Sequence, residues 1–184
     1  MANPLRIVVV GCGNMGSAHA LALDAMPEFT LCGLVARGAS NARLREKLSG
    51  DPALYTTLDE ALNVARPDAV CIATWPDSHE QLALDALNAG CHVFIEKPLA
   101  TTVSGAQRVV DAAKRTGKKV VVGYILRQHP VWQRFITLSH TLGKPLVMRM
   151  NLNQQSAGEA WQTHKALMQS LSPIVDCGVH YLDV

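Results

Sequence analysis

The stretch from Arg6 to Gly16, Arg-Ile-Val-Val-Val-Gly-Cys-Gly-Asn-Met-Gly, constrains the fold more than any other part of the chain. A short, unbroken apolar run that closes on glycines reads as a parallel strand buried on both faces. Gly11, Gly13 and Gly16 follow with G-x-G-x-x-G spacing where that strand hands over to a helix. Each glycine has its own task. Gly11 permits the tight turn, Gly13 lets a pyrophosphate approach the backbone, and Gly16 lets the helix lie close on the strand. Phosphates would sit on the free N–H groups and positive dipole end of that helix, so Asn14 and Met15 join the glycines as expected dinucleotide contacts. The competing reading is a plain tight turn. The apolar strand before the glycines and the helix-forming Ser-Ala-His-Ala-Leu-Ala-Leu after them speak against it.

With 184 residues the chain holds one full core and part of a second domain. Hydrophobic residues make up 48% and charged ones 17%, a globular balance without the signature of disorder. The formal charge of +2 is not gathered into a run, which gives no case for a nucleic-acid partner. Cys12, Cys32, Cys71, Cys91 and Cys177 are odd in number and form no C-x-x-C pair, a pattern expected of a reducing compartment. No stretch approaches membrane-spanning length, and the first strand leaves no room for a signal peptide before it. The expectation is a soluble cytoplasmic protein with no membrane partner.

Strand and helix signals then alternate. Strands are expected over 29–35, 55–56, 69–73, 91–95 and 119–123. Between them come helices over 41–48, capped by Ser40, from 58 to Arg66-Pro67, over 78–88, and over 104–116 with Gly117 as terminator. This order predicts an α/β fold, a doubly wound parallel sheet with right-handed crossovers. The pattern changes after Gly123: a helix over 130–140, a strand over 145–153, a polar loop over 153–158 and a helix from Ser172.

Two groups of residues carry chemistry. Glu96-Lys97-Pro98 falls at the carboxyl end of a parallel strand, the edge where open α/β sheets bind ligands. A lysine there can hydrogen-bond a hydroxyl or polarise a carbonyl; the alternative is an ordinary surface Glu-Lys pair. Asp176 and His180 are spaced i, i+4, which on a helix puts both on one face. A histidine beside a carboxylate is a natural proton acceptor near neutral pH; the alternative is a helix cap followed by a polar histidine. His79, His92 and His180 lie far apart and no helix carries paired ligand spacing, so no metal is expected.

These segments resemble one family. G-C-G-N-M-G after the first strand, A-T-W-P-D-S-H after a middle strand, A-G-C-H-V-F-I-E-K-P-L-A, V-G-Y-I-L-R-Q-H-P and the terminal D-C-G-V-H-Y-L-D are similar to the Gfo/Idh/MocA oxidoreductases, such as glucose-fructose oxidoreductase and inositol dehydrogenase. The resemblance runs through the chain in consistent order, with the E-K-P segment its most specific part. It implies a Rossmann domain over 1–124 and the beginning of a C-terminal substrate and oligomerisation domain over 125–184. It also implies a nicotinamide cofactor, a sugar, cyclitol or polyol substrate and a homo-oligomer in full-length form. By position, Lys97 would polarise the reacting oxygen, His180 act as acid/base and Asp176 orient the substrate or the histidine. Thr74, Pro76, His79, Glu96 and Lys97 would lie on the cofactor side, and Lys97, Tyr124, Arg127, Asp176 and His180 would contact the substrate. The Lys97–Pro98 bond is often cis in the family.

Two departures from the family pattern matter. NAD enzymes place an acid after the second strand to hold the ribose hydroxyls, whereas this chain reads Val35-Ala36-Arg37-Gly38. Arg37 favours a 2′-phosphate, and so NADP over NAD; the alternative is a solvated turn residue with NAD held by the backbone. Family members also continue well past the D-x-x-x-H helix, so an incomplete second domain is expected. A non-catalytic dinucleotide-binding regulator, or an inactive fragment, on the same fold is the rival to an enzyme.

Overall fold

The computed structural model describes residues 3–144, 147–149, 151, 157–169, 171–172 and 174–184. They fall into two compact units, Met1–Gly123 and Tyr124–Val184.

In the first unit six parallel strands form one sheet: β1 (Leu5–Val10), β2 (Phe29–Val35), β3 (Ala53–Tyr55), β4 (Ala69–Ile72), β5 (His92–Ile95) and β6 (Val120–Val122). Their spatial order is β3-β2-β1-β4-β5-β6, the doubly wound order whose direction reverses between β1 and β4. The helices between them are α1 (Asn14–Asp24), α2 (Ser40–Arg45), α3 (Leu58–Ala65), α4 (Pro76–Asn88) and α5 (Val103–Thr116).

Alternation along the buried strands divides the core in two. Val8, Val10, Val70 and Ile72 point to the face covered by Leu58 and Ala61 of α3, Ala83, Ala86 and Leu87 of α4, and Val109 and Ala112 of α5. Ile7, Val9, Leu34 and Cys71 point to the other face, with Ala20 of α1 and Leu44 of α2. A helix layer on each side explains why these strands are apolar at every position rather than at every second one.

Local chemistry sets the helix ends. Thr57 accepts the Glu60 N–H at 3.2 Å to start α3, and Thr102 accepts the Gly105 N–H at 3.0 Å to start α5. Gly117 closes α5 in the left-handed region, with φ +66°. The cap expected at Ser40 is not made. Ala39 occupies that position without a side-chain bond, and Ser40 is the first helical residue. The helix expected from 78 begins two residues earlier at Pro76, since a proline at the first turn needs no N–H partner.

The second unit is helical where it is described: a 3₁₀ turn Ile125–Gln128, α6 (Pro130–Ser139), a 3₁₀ turn His140–Leu142, α7 (Gly158–Leu167), a π turn Ile174–Gly178 and α8 (Val179–Leu182). Residues 147–149 and 151 of the strand expected over 145–153 are not in a strand, and the remainder of that segment lies outside the described residues. A strand needs a partner to supply its ladder hydrogen bonds, and no other strand occurs among the described residues of this unit. The polar loop expected over 153–158 lies outside the described residues except at 157 and 158, and Gly158 already opens α7. The helix expected from Ser172 is a π turn followed by a single α turn rather than one continuous α-helix.

Candidate active site

The ladder of the sheet carries past the strand ends and aligns the loops at its carboxyl edge. Gly11 N–H donates to the Val35 carbonyl (2.9 Å), Ala73 N–H to Val10 (2.8 Å), Glu96 N–H to Ile72 (2.9 Å) and Gly123 N–H to Ile95 (2.8 Å). The Gly-rich loop, the Thr74 loop and the Glu96-Lys97 loop are thereby set side by side at the reversal point between β1 and β4.

The three glycines of the first loop separate by what a side chain would meet. Gly11 has φ +90°, and a Cβ there would stand 2.5 Å from the Ala73 carbonyl oxygen. A Cβ on Gly16 would run into the Gly11 carbonyl, so α1 can cross the end of β1 this closely only with glycine there. At Gly13 a Cβ would meet nothing within 4 Å, which leaves open space against the backbone. Gly13 is also the N-cap of α1 and carries no capping side chain, and the first intrahelical bond is from Ser17 N–H to the Gly13 carbonyl (2.8 Å). The N–H groups of Asn14, Met15 and Gly16 precede that bond, and no acid stands in the first turn. An open cradle beneath a helix dipole fits a dinucleotide pyrophosphate.

Arg37 follows the end of β2 and is exposed, with exposed Gly38, Ala39 and Ser40 after it and no carboxylate in this turn. On the other side of the reversal point, Ser78 Oγ donates to the Trp75 carbonyl (2.8 Å), which uses its only proton. The 2.7 Å contact between Thr74 Oγ1 and Ser78 Oγ is therefore donated by Thr74. His79 is fully buried. Its Nδ1 lies 2.7 Å from the Pro98 carbonyl oxygen and its Nε2 3.1 Å from that of Thr74, so one ring joins the loops after β4 and β5. Pro76, the first residue of α4, fixes the turn between Thr74 and Ser78.

Lys97 is half-buried at the carboxyl end of β5 and its bond to Pro98 is cis. Glu96 beside it is buried; its Oε1 is 2.7 Å from His19 Nε2, and its Oε2 accepts the Lys97 N–H at 3.3 Å. Burial pushes the Glu96 carboxyl up. The His19 hydrogen bond and charge, with the Lys97 N–H and ammonium, outweigh burial and hold it below the usual carboxylate range. Burial raises the Cys12 thiol to about 11 and, with the Glu96 charge, the Cys71 thiol to about 12, so neither supplies a thiolate near neutral pH. No group of three or more His, Cys, Asp or Glu able to hold a metal occurs among the described residues. No described helix is long and apolar enough to cross a membrane.

In the second unit Asp176 is buried within the π turn and His180 follows in α8. The wider π turn alters the face on which an i, i+4 pair lies, and such turns recur at functional sites. The Tyr124 ring meets the His180 ring edge-on, with centroids 6.4 Å apart. Arg127 grips Asp183 with two nitrogens and lies 5.8 Å above the Tyr124 ring. Burial, then the Asp183 charge, push the Tyr124 phenol up against the opposing pull of Arg127, so it remains a hydrogen-bond donor at neutral pH.

Sequence reasoning passed over His19 and Ser78. His19 stands three residues beyond the third glycine, a helical position from which a side chain can reach the end of a neighbouring strand, and that spacing was the available signal. Ser78 carried none, because its bond to the Trp75 carbonyl depends on the turn that Pro76 sets.

Comparison with known proteins agrees with this geometry. Residues 5–124 match the Gfo/Idh/MocA model, an oxidoreductase family with an NAD-binding Rossmann fold. Inositol 2-dehydrogenase of Klebsiella pneumoniae is 31% identical over 98% of this chain and 53% of its own length. The chain spans about half the length of the curated relatives it matches. Among solved structures, GenD2 from gentamicin A biosynthesis in complex with NAD is 32% identical with a TM-score of 0.71, over 76% of this chain and 40% of that one. Scyllo-inositol dehydrogenase from Lactobacillus casei with bound NAD(H) and scyllo-inositol is 25% identical with a TM-score of 0.68, over 77% of this chain and 42% of that one.

Proposed function

Because this chain belongs to the Gfo/Idh/MocA oxidoreductase family, we propose that it serves hydride transfer between a nicotinamide dinucleotide and a carbon bearing a hydroxyl or carbonyl in a sugar, cyclitol or related polyol. The observation that carries this reading is the open Gly13 cradle on the uncapped N-terminus of α1, at the reversal point of the sheet. A nicotinamide cofactor supplies a hydride donor or acceptor at its ring C4. Gly11, Gly13, Asn14, Met15 and Gly16 hold its pyrophosphate through the backbone. Thr74, Pro76, His79 and Glu96 shape the nicotinamide side, His79 and Glu96 by fixing the loops that carry Thr74 and Lys97.

Lys97 hydrogen-bonds the reacting oxygen, and His180 takes up or returns the proton, oriented by Asp176. Tyr124 and Arg127 contact the substrate. Relatives named inositol dehydrogenases favour a cyclitol. The exposed Arg37 and the lack of an acid after β2 favour NADP over NAD. The unpaired cysteines favour a cytoplasmic protein, and the family resemblance favours a homo-oligomer in full-length form.

The test is titration of the chain with NADPH and NADH, read by energy transfer from its tryptophans. NADPH should bind at least about tenfold more tightly, worth about 1.4 kcal/mol for the 2′-phosphate. Arg37→Ser should level the two. Failure of the chain to bind either dinucleotide would overturn the reading.

A further inference from the structure

Glu96 is the one buried carboxylate among the described residues at the carboxyl edge of the sheet, and three elements converge on it. From α1, His19 brings Nε2 to 2.7 Å of Oε1, with its ring edge-on to Phe94 of β5 at 5.0 Å. From the loop after β5, the Lys97 N–H donates to Oε2 at 3.3 Å. From the end of β6, Gly123 leaves room that a Cβ would narrow to 3.3 Å from Oε2. The side chains of His19 and Glu96 are only 23% and 11% exposed, so their bond is largely shielded from competing water.

Helix α1 presents its N-terminus to the Gly-rich loop, whereas Glu96 immediately precedes Lys97. The His19–Glu96 bond is a side-chain hydrogen bond that crosses from one to the other, passing over β4 in the sheet order. The charged and titratable groups facing Glu96 are His19 from α1, Lys97 from its own loop and the Cys71 thiol of β4.

Resting on the dinucleotide reading above, we propose that His19 is a positioning residue. Through Glu96 it locks the helix that receives the pyrophosphate to the backbone that carries Lys97, so that the two halves of the site hold one fixed spacing. The bond ties the Lys97 N–H and the α1 N-terminus into one network, and breaking it at either end has the same consequence.

The test compares His19→Ala, His19→Gln, Glu96→Leu and the double variant His19→Ala/Glu96→Leu by NADPH titration and by amide hydrogen exchange. His19→Ala and Glu96→Leu, which leaves no acceptor, should each weaken NADPH five- to tenfold, and the double variant no more than Glu96→Leu alone, because both remove one interaction. His19→Gln, whose amide nitrogen can reach Glu96, should stay within twofold of the wild type. In His19→Ala, exchange should quicken at the Lys97 N–H together with the first turns of α1. Single-variant losses that multiply in the double variant, failure of the Gln rescue, or quickening confined to α1 would each overturn the proposal. If the wild type binds no NADPH, the dinucleotide reading fails separately, and exchange at Lys97 alone decides whether His19 couples the two segments.

Discussion

Alanine placed at Gly16 and at Gly13 should do opposite things, although the two glycines belong to one motif. At Gly16 the new methyl would strike the Gly11 carbonyl, with its carbon at 2.8 Å and Ala73 Cβ at 3.5 Å behind it. The carbonyl belongs to the backbone of the loop after β1, so relief requires α1 to lift from the sheet, which places the cost near the upper end of overpacking, about 3 kcal/mol. Alanine returns about 1 kcal/mol of helix propensity over glycine, leaving about 2 kcal/mol lost. The compact unit Met1–Gly123 has an unfolding entropy of about 0.26 kcal/mol/K by its size, so the melting temperature should fall by about 8 °C.

At Gly13 the methyl meets nothing and φ is −79°, which alanine adopts freely. Restricting the unfolded chain there adds about 0.4–1 kcal/mol, and the melting temperature should hold or rise by about 2–4 °C. That methyl occupies the space assigned to the pyrophosphate, so NADPH affinity should drop at least about tenfold, equivalent to about 1.4 kcal/mol. Scanning calorimetry and tryptophan energy transfer on the two variants measure both quantities. A Gly13→Ala protein that melts as low as Gly16→Ala, or that binds NADPH like the wild type, would refute the division of labour between the glycines.

Two further outcomes follow from the same edge of the sheet. The Glu96 carboxyl is held below its ordinary range, so the unfolded chain binds more protons than the folded one as pH falls past about 4.3. Glu96 thus contributes stability above that pH, and the contribution is lost as pH drops through its folded value. Urea midpoints between pH 6 and 3 should fall more steeply for the wild type than for Glu96→Gln, and parallel slopes would contradict the assignment. In a full-length form, Lys97→Ala should reduce polyol-dependent turnover by at least about a hundredfold while NADPH affinity changes less than threefold, as expected of a group acting on the reacting oxygen. Retained turnover would remove Lys97 from that role.

Much of the first unit could be read without coordinates, because the signals there are local. Apolar runs at β1, β4 and β5 need no partner to be recognised, and the glycines, Arg66-Pro67 and Gly117 mark chain reversals through their own backbone preferences. A parallel sheet with alternating helices follows from that order, since parallel strands require crossovers. The cis bond before Pro98 was legible only through family resemblance, as nothing local distinguishes Lys97-Pro98 from a trans pair.

The second unit was less legible. The helix Gly158–Leu167 went unread and a strand was expected before it, because short segments of mixed polarity take their state from neighbours. The π turn at Asp176 inserts one residue's worth of twist that composition does not encode.

The sequence by itself determined the first strand, the glycine-led start of α1 and the lysine in the loop after β5, because each rests on residues adjacent along the backbone. Only the tertiary structure decided that the α1 histidine meets the carboxylate 77 positions later, that His79 spans the Thr74 and Pro98 carbonyls, and that Gly16 faces a carbonyl while Gly13 faces open space. Those contacts depend on how far each helix slides and turns over the sheet. That placement is fixed by the summed packing of two core layers and leaves no mark at any single position.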